Sequence, residues 1–188
     1  PQIAEDLRMI VTQADRCKKI VSGLLHFARQ NKVVAQPIDV HALVEQTLRV
    51  LPAPANVRVE IRRESQDTGA EVDADQIAQV LTNLVTNAYA AMPDGGTLTV
   101  TTAAEDGRVR IRVADTGVGI PEASLGKIFE PFFTTKEVGK GTGLGLAVTY
   151  GIVKMHSGDI QVTSNADPAA GATGTTFTVT LPRQHRQD

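Results

Sequence analysis

The chain has a single cysteine, Cys17, so no internal disulfide framework can brace it. No apolar run approaches the roughly 20 residues that a helix needs to cross a bilayer, and no charged-then-apolar leader opens the sequence. An excess of one charge is missing too. Nineteen basic and twenty-one acidic residues leave a formal net charge of -2, and nowhere do Lys and Arg gather beside aromatics, which argues against a nucleic-acid partner. There is no start methionine; the first residue is Pro1, and the chain is expected to be cut from something longer. These absences lead us to expect a soluble, cytoplasmic piece, with any membrane attachment of the parent protein left open. What is present, 41% apolar residues in 188, suffices for one ordinary core with a short segment left over.

That segment comes first. Ile3, Leu7, Ile10, Ala14, Cys17, Val21, Leu24 and Ala28 recur in alternating steps of four and three, a heptad seam suited to pairing with another helix. Cys17 on this seam is read as a packed small apolar residue rather than a redox group. Gln30-Asn31-Lys32 and then Gln36-Pro37 end the helix, because proline lacks the amide donor and disfavours helix in the residue before it. A boundary is expected there, separating residues 1–34 from a domain over residues 35–188.

Within the domain, Asp39 can cap a helix that runs to Leu51, where Pro52-Ala53-Pro54 stops it. Val57, Val59 and Ile61 alternate with charged residues as in a half-buried strand, and a long helical pattern spans about Asp73 to Met92. Thr97 to Thr102 and Arg108 to Val113 form a hairpin through Glu105-Asp106-Gly107. Leu144 to His156 is helical; Ile160 to Thr163 and Thr176 to Leu181 alternate again. The order implies a two-layer α/β sandwich, with a mixed, largely antiparallel sheet covered by helices on one face.

Three patterns carry chemistry. Asn83 and Asn87, four apart, project from one face of the long helix, and an amide oxygen there suits magnesium, which takes further ligands from water and phosphates. Asp115 stands at a strand end with Gly117 and Gly119 just beyond and Ile120 closing the turn; its carboxylate could hold a planar amine while bare backbone approaches the ring. Gly139 to Gly145, containing Lys140, Gly141, Thr142, Gly143 and Leu144, precedes Leu146 at a helix entrance, where free amides and the helix dipole favour phosphate. It is not a P-loop, since no Gly-Lys pair here is followed by Ser or Thr.

In this order the patterns resemble the sensor histidine kinases. "QVLTNLVTNAYAAM" is similar to their N box, "DTGVGI" to the first glycine box, "FEPFFTTK" to the F box, "GKGTGLGLAVTYGIVKMHSG" to the second glycine box and "GTTFTVTLP" to the last. The likeness covers Pro37 to the C-terminus and looks closest to the nitrogen-regulatory type, while "DRCKKIVSGLLHFAR" resembles the second helix of the dimerisation hairpin. It implies the ATP-binding sandwich shared with type II topoisomerases, mismatch-repair ATPases and heat-shock ATPase chaperones. It further implies ATP and Mg2+ as ligands, a homodimer in the full-length protein, and as partners the chain's own dimerisation helices and a response-regulator receiver domain. By this resemblance Asn87 takes the magnesium, Asn83 gives a supporting contact, and Asp115 binds the adenine amine. Gly117 and Gly119 make room for the base. Phe129 to Lys136 and the glycines to Gly145 form a lid with Lys136 or Lys140 facing the phosphates, and Thr175 or Thr176 completes the adenine contact. One departure stands out: where many members carry a basic residue three beyond the magnesium asparagine, this chain has Ala90.

The phosphate acceptor in this family is a histidine followed by an acid and soon after by Asn-Pro or a near equivalent. None of His26, His41, His156 and His185 fits, so the chain is expected to lack its acceptor. Two other readings remain: an ATPase of the same fold, and a nucleotide-binding scaffold without phosphotransfer.

Overall fold

The computed structural model describes residues 33–136 and 141–184, together with Val11. The heptad seam with Cys17 and His26, and likewise Lys140 and His185, lie outside the described residues.

Asp39 caps helix α1 (Val40–Val50) by accepting from the His41 amide at 3.0 Å. Val40, Val44 and Thr47, one turn apart, face inward from it. Strand β2 (Val57–Arg63) follows the Pro-rich break. Asp73 caps α2 (Ala74–Ala91) through the Gln76 amide, and Ile77, Val80, Leu81, Leu84, Val85 and Ala88 form its buried stripe. The hairpin β4 (Gly96–Glu105) and β5 (Arg108–Asp115) comes next, then the short α3 (Glu122–Leu125) and α4 (Gly145–Met155). β6 (Asp159–Asn165) and β7 (Gly174–Pro182) end the fold.

The main sheet runs β2-β4-β5-β7-β6, with β2 parallel to β4 and the remaining pairs antiparallel. Val109, Ile111 and Val113 of the central strand β5 are buried with Leu98, Val100, Val179 and Leu181, whereas Arg108, Arg110 and Arg112 of the same strand are exposed. The sheet therefore packs its helices on one face and gives the other to water, as its period-two pattern requires. This is the sandwich that the sequence implies.

The sequence reading overlooks a second, two-stranded sheet: β1 (Gln36–Asp39) pairs antiparallel with β3 (Gly69–Val72). Pro37, read as a helix terminator, sits in this strand; four-residue strands are too short to show a period, and an edge position tolerates the missing amide.

Two histidines have structural duties. The His41 ring Nδ1 meets the Thr102 hydroxyl at 2.6 Å. His156 is 1% exposed; its Nε2 accepts from the Asp73 amide at 3.1 Å, and its Nδ1 bonds the Ile152 carbonyl at 2.9 Å. It thereby joins the start of α2 to the end of α4, and both ring nitrogens are engaged.

Leu84 is 1% exposed in the core between α2 and the sheet. Leu84→Ala removes packed methyls and leaves a cavity, so it is expected to cost about 2–5 kcal/mol. A urea melt that moves by less than about 0.5 kcal/mol contradicts this placement.

Candidate functional site

A cavity of about 540 Å³ opens between α2, the loop after β5, the segment ending at Lys136 and the start of α4. Of the residues singled out from sequence, Asn83, Asn87, Asp115, Gly119, Ile120, Lys136, Gly141, Thr142, Gly143, Gly145, Leu146 and Thr175 line it. Residues separated by up to about ninety positions thus share one wall, because α2, the ends of β5 and β7, and the start of α4 converge on the same end of the sandwich.

Asp115 ends β5. Its Oδ1 accepts from the Gly117 amide at 2.9 Å and the Thr175 amide at 3.3 Å, which fixes the carboxylate and leaves Oδ2 without a partner among the described residues. Burial pushes the Asp115 carboxyl above the ordinary range, and the two amide bonds work against that rise.

The pleat sets the two threonines on opposite faces of the sheet. Thr175, 4% exposed, pairs with Asp115 across β5 and β7 and lines the cavity, while Thr176 points to the opposite face opposite Ala114 and Thr163. Ser164, which no sequence pattern marked, orders this corner. Its hydroxyl donates to the Gly174 carbonyl at 2.9 Å, accepts from the Ile120 amide at 2.8 Å and meets the Thr175 hydroxyl at 2.9 Å. Since the only Ser164 proton goes to Gly174, Thr175 is the donor in that last bond.

Not every residue singled out from sequence lines the cavity. Gly117 does not line the cavity: a Cβ there would stand 2.4 Å from the Ala91 carbonyl oxygen, so its bareness lets the loop dock on the end of α2. Gly119 does line it, but at φ +74° a Cβ would stand 2.1 Å from the Asn165 carbonyl oxygen. The space each glycine leaves is taken by protein backbone. Phe129 packs inward, its ring 5.4 Å from that of Tyr150 and 6.5 Å from that of Phe177. Leu144 is buried as the N-cap of α4 rather than set in the cavity wall. Phe133, Thr134 and Thr135 of the expected lid line the cavity, and so do Thr86, Ile128 and Phe177, to which the sequence assigns no role of their own. A threonine or phenylalanine among many carries no signal until the chain folds.

On α2 the two asparagines diverge. The Asn83 amide donates to the Gly145 carbonyl at 3.1 Å and the Thr149 hydroxyl at 3.3 Å, pinning the start of α4 to α2. Asn87 presents its Oδ1 to the Lys136 ammonium at 3.0 Å. Burial lowers the pKa of Lys136. Asp115 and Lys136 are the only charged residues of the cavity wall among the described residues. Among the described residues no side chain caps the first turn of α4, which leaves its amides and the positive end of its dipole to face an anion. The cavity therefore offers an acceptor for a planar amine at one place, and a cation, an amide oxygen and a helix N-terminus for a charged tail at another.

A sandwich with this cavity defines a class, that of the nucleotide-binding ATPase domains. Residues 72–185 match the family described as histidine kinase-, DNA gyrase B-, and HSP90-like ATPase, and the chain belongs to it. Its relatives are sensor histidine kinases. Sensor histidine kinase ZraS of Escherichia coli K12 is 38% identical over 178 residues, covering 93% of this chain and 37% of that protein. The chain thus spans little more than a third of the length of that relative. Full-length ShkA, solved in complex with AMPPNP, superposes with a TM-score of 0.78 at 26% identity, over 94% of this chain and 38% of that one. Histidine kinase ThkA, solved in complex with response regulator protein TrrA, superposes with a TM-score of 0.73 at 26% identity, over 93% of this chain and 49% of that one.

Proposed function

We propose that the chain is the catalytic module of a sensor histidine kinase. It binds MgATP and presents the terminal phosphate to a histidine on its own dimerisation bundle, outside these 188 residues; a response-regulator aspartate then takes it. The observation that carries this reading is an Asp115 Oδ2 and an α4 N-terminus that share one cavity with Asn87 and have no side-chain partner among the described residues. The complexes of ShkA with AMPPNP and of ThkA with TrrA support the nucleotide and the regulator as partners. The likeness to the nitrogen-regulatory type rests on the motifs alone.

In the transfer, a histidine nitrogen bonds to the terminal phosphorus as the bond to the bridging oxygen breaks, and ADP leaves. The chain's part is positioning and charge, which is most of what phosphoryl transfer asks of a protein. Asp115 and Thr175 orient the base, and the α4 amides face phosphate oxygens. Asn87 Oδ1 fits magnesium: it is a hard oxygen already holding a cation, and among the described residues no cluster of three His, Cys, Asp or Glu offers a metal site independent of nucleotide. When bound, the metal supplies further charge neutralisation. With Ala90 in place of a basic residue, the tail's charge falls to Lys136, the metal and the helix terminus.

The related ATPases carry a glutamate base four residues before the magnesium asparagine; here Asn83 holds that position, and both its amide protons are committed to α4. An amide is no base at neutral pH. Bound ATP is therefore expected to persist, with turnover far below about 1 per second. Incubation with radiolabelled ATP tests the proposal: the 188 residues should retain nucleotide and gain no protein-bound phosphate. Steady release of phosphate at that rate would favour the ATPase reading, and efficient labelling of His26 would refute the assignment of the acceptor.

A further inference from the structure

Lys136 is an exposed residue whose ammonium is nonetheless turned into the cavity, onto a neutral amide oxygen rather than a carboxylate. That oxygen, Asn87 Oδ1, is the one the proposed function assigns to magnesium, and this inference rests on that reading. A hard divalent ion sits about 2.1 Å from such an oxygen. An ammonium 3.0 Å from the same oxygen would then lie within about 5 Å of the metal, where two cations in a partly dry cavity repel strongly. Sharing the oxygen at these distances is costly, so the two cations compete for it. The Lys136 stem is long and flexible, and the nearest new anion would be the nucleotide's phosphates.

We infer that Lys136 is a stand-in for the metal on Asn87: it holds the amide oxygen in the nucleotide-free chain and moves to phosphate when nucleotide and metal arrive together. Lys136 is thus a positioning residue whose contact opposes metal binding. Three consequences follow from a shared oxygen. The Asn87 side chain is held in place before any ligand enters; adenosine, which brings neither metal nor phosphate, leaves the contact intact; and the gain in nucleotide affinity on adding magnesium is held down by the cost of releasing Lys136.

The test uses the whole 188-residue chain with ADP as probe. In the nucleotide-free protein, Lys136→Met should shift the Asn87 side-chain amide resonances, Lys136→Arg should keep them near their original positions, and MgADP but not adenosine should move them in the unsubstituted chain. By calorimetry, the ratio of ADP affinities with and without magnesium should be about 3- to 10-fold larger in Lys136→Met than in the unsubstituted chain, the mark of two competitors for one site. Asn87 resonances that coincide in the free unsubstituted chain and Lys136→Met, or a magnesium gain that the substitution leaves unchanged, would overturn the exchange. If the chain binds no ADP under either condition, the nucleotide reading itself fails and takes this inference with it. If ADP binds with an unaltered magnesium gain, only the exchange is lost.

Discussion

Asp115→Asn is expected to weaken ATP binding about 10- to 100-fold while leaving the fold intact, corresponding to about 1.5–3 kcal/mol for a lost charge-assisted hydrogen bond. The geometry makes this a change of sign rather than of shape. The Gly117 and Thr175 amides both donate to Oδ1, so an asparagine at this position would keep its oxygen there and place its NH2 group where Oδ2 now faces the cavity. A donor then meets the adenine amine, and both groups go unpaired. The same NH2 suits the carbonyl oxygen of guanine, so preference for ATP over GTP should shrink or invert. Calorimetric titration with both nucleotides reads this directly; equal affinities in the unsubstituted chain, or an unaffected Asp115→Asn, would remove the adenine assignment.

The same carboxyl makes binding depend on pH. Burial raises its pKa in the folded chain, so ATP affinity should fall as pH drops through that raised value, where Oδ2 gains a proton and ceases to accept. Stability should move the other way. Between the ordinary carboxylate pKa, about 3.9, and the raised one, the folded state binds more protons than the unfolded, and stability falls as pH rises through that window. Asp115→Asn should flatten both dependences.

Asn87→Ala carries the other large effect. In a longer chain that adds the proposed dimerisation helices and acceptor histidine, the substitution should lower phosphohistidine formation about 100-fold or more by deleting the side-chain oxygen assigned to magnesium. Asn87→Asp, which keeps an oxygen in place, should retain more activity than the alanine. Labelling with radioactive ATP, followed by acid treatment, distinguishes an acid-labile phosphohistidine from other products. Undiminished labelling in Asn87→Ala would show that this oxygen is not the metal ligand. The effect is expected on the phosphate end alone: adenosine binding, which depends on Asp115, should be unchanged.

Much of the site was legible because its chemistry is concentrated in short runs. Asn83 and Asn87 sit one helical turn apart, Asp115 closes a strand of strict period two, and glycines crowd the entrance to α4; each lies where local pattern alone puts it. Legible position did not mean legible purpose. Asn83 and Asn87 are equivalent on a helical projection, yet one pins α4 and the other meets Lys136, because only folding brings Gly145 and Thr149 beside the first and Lys136 beside the second. The resemblance implies that Gly117 makes room for a base; the structure adds that its bareness accommodates the Ala91 carbonyl, a contact made across twenty-six positions that no local run encodes.

Apart from β1, β3 and the short α3, the sequence by itself determined the alternation of helices and strands and the caps at Asp39 and Asp73, since these depend on interactions within a few residues of chain, and its motifs determined the family. Only the tertiary structure decided which of Thr175 and Thr176 faces the cavity, that Ser164 ties the glycine loop to β7, and that Phe129 packs inward. The reason is the same in each case. A strand's period of two separates its residues into two faces but does not say which face is covered, and that is settled by what packs against the sheet from far along the chain.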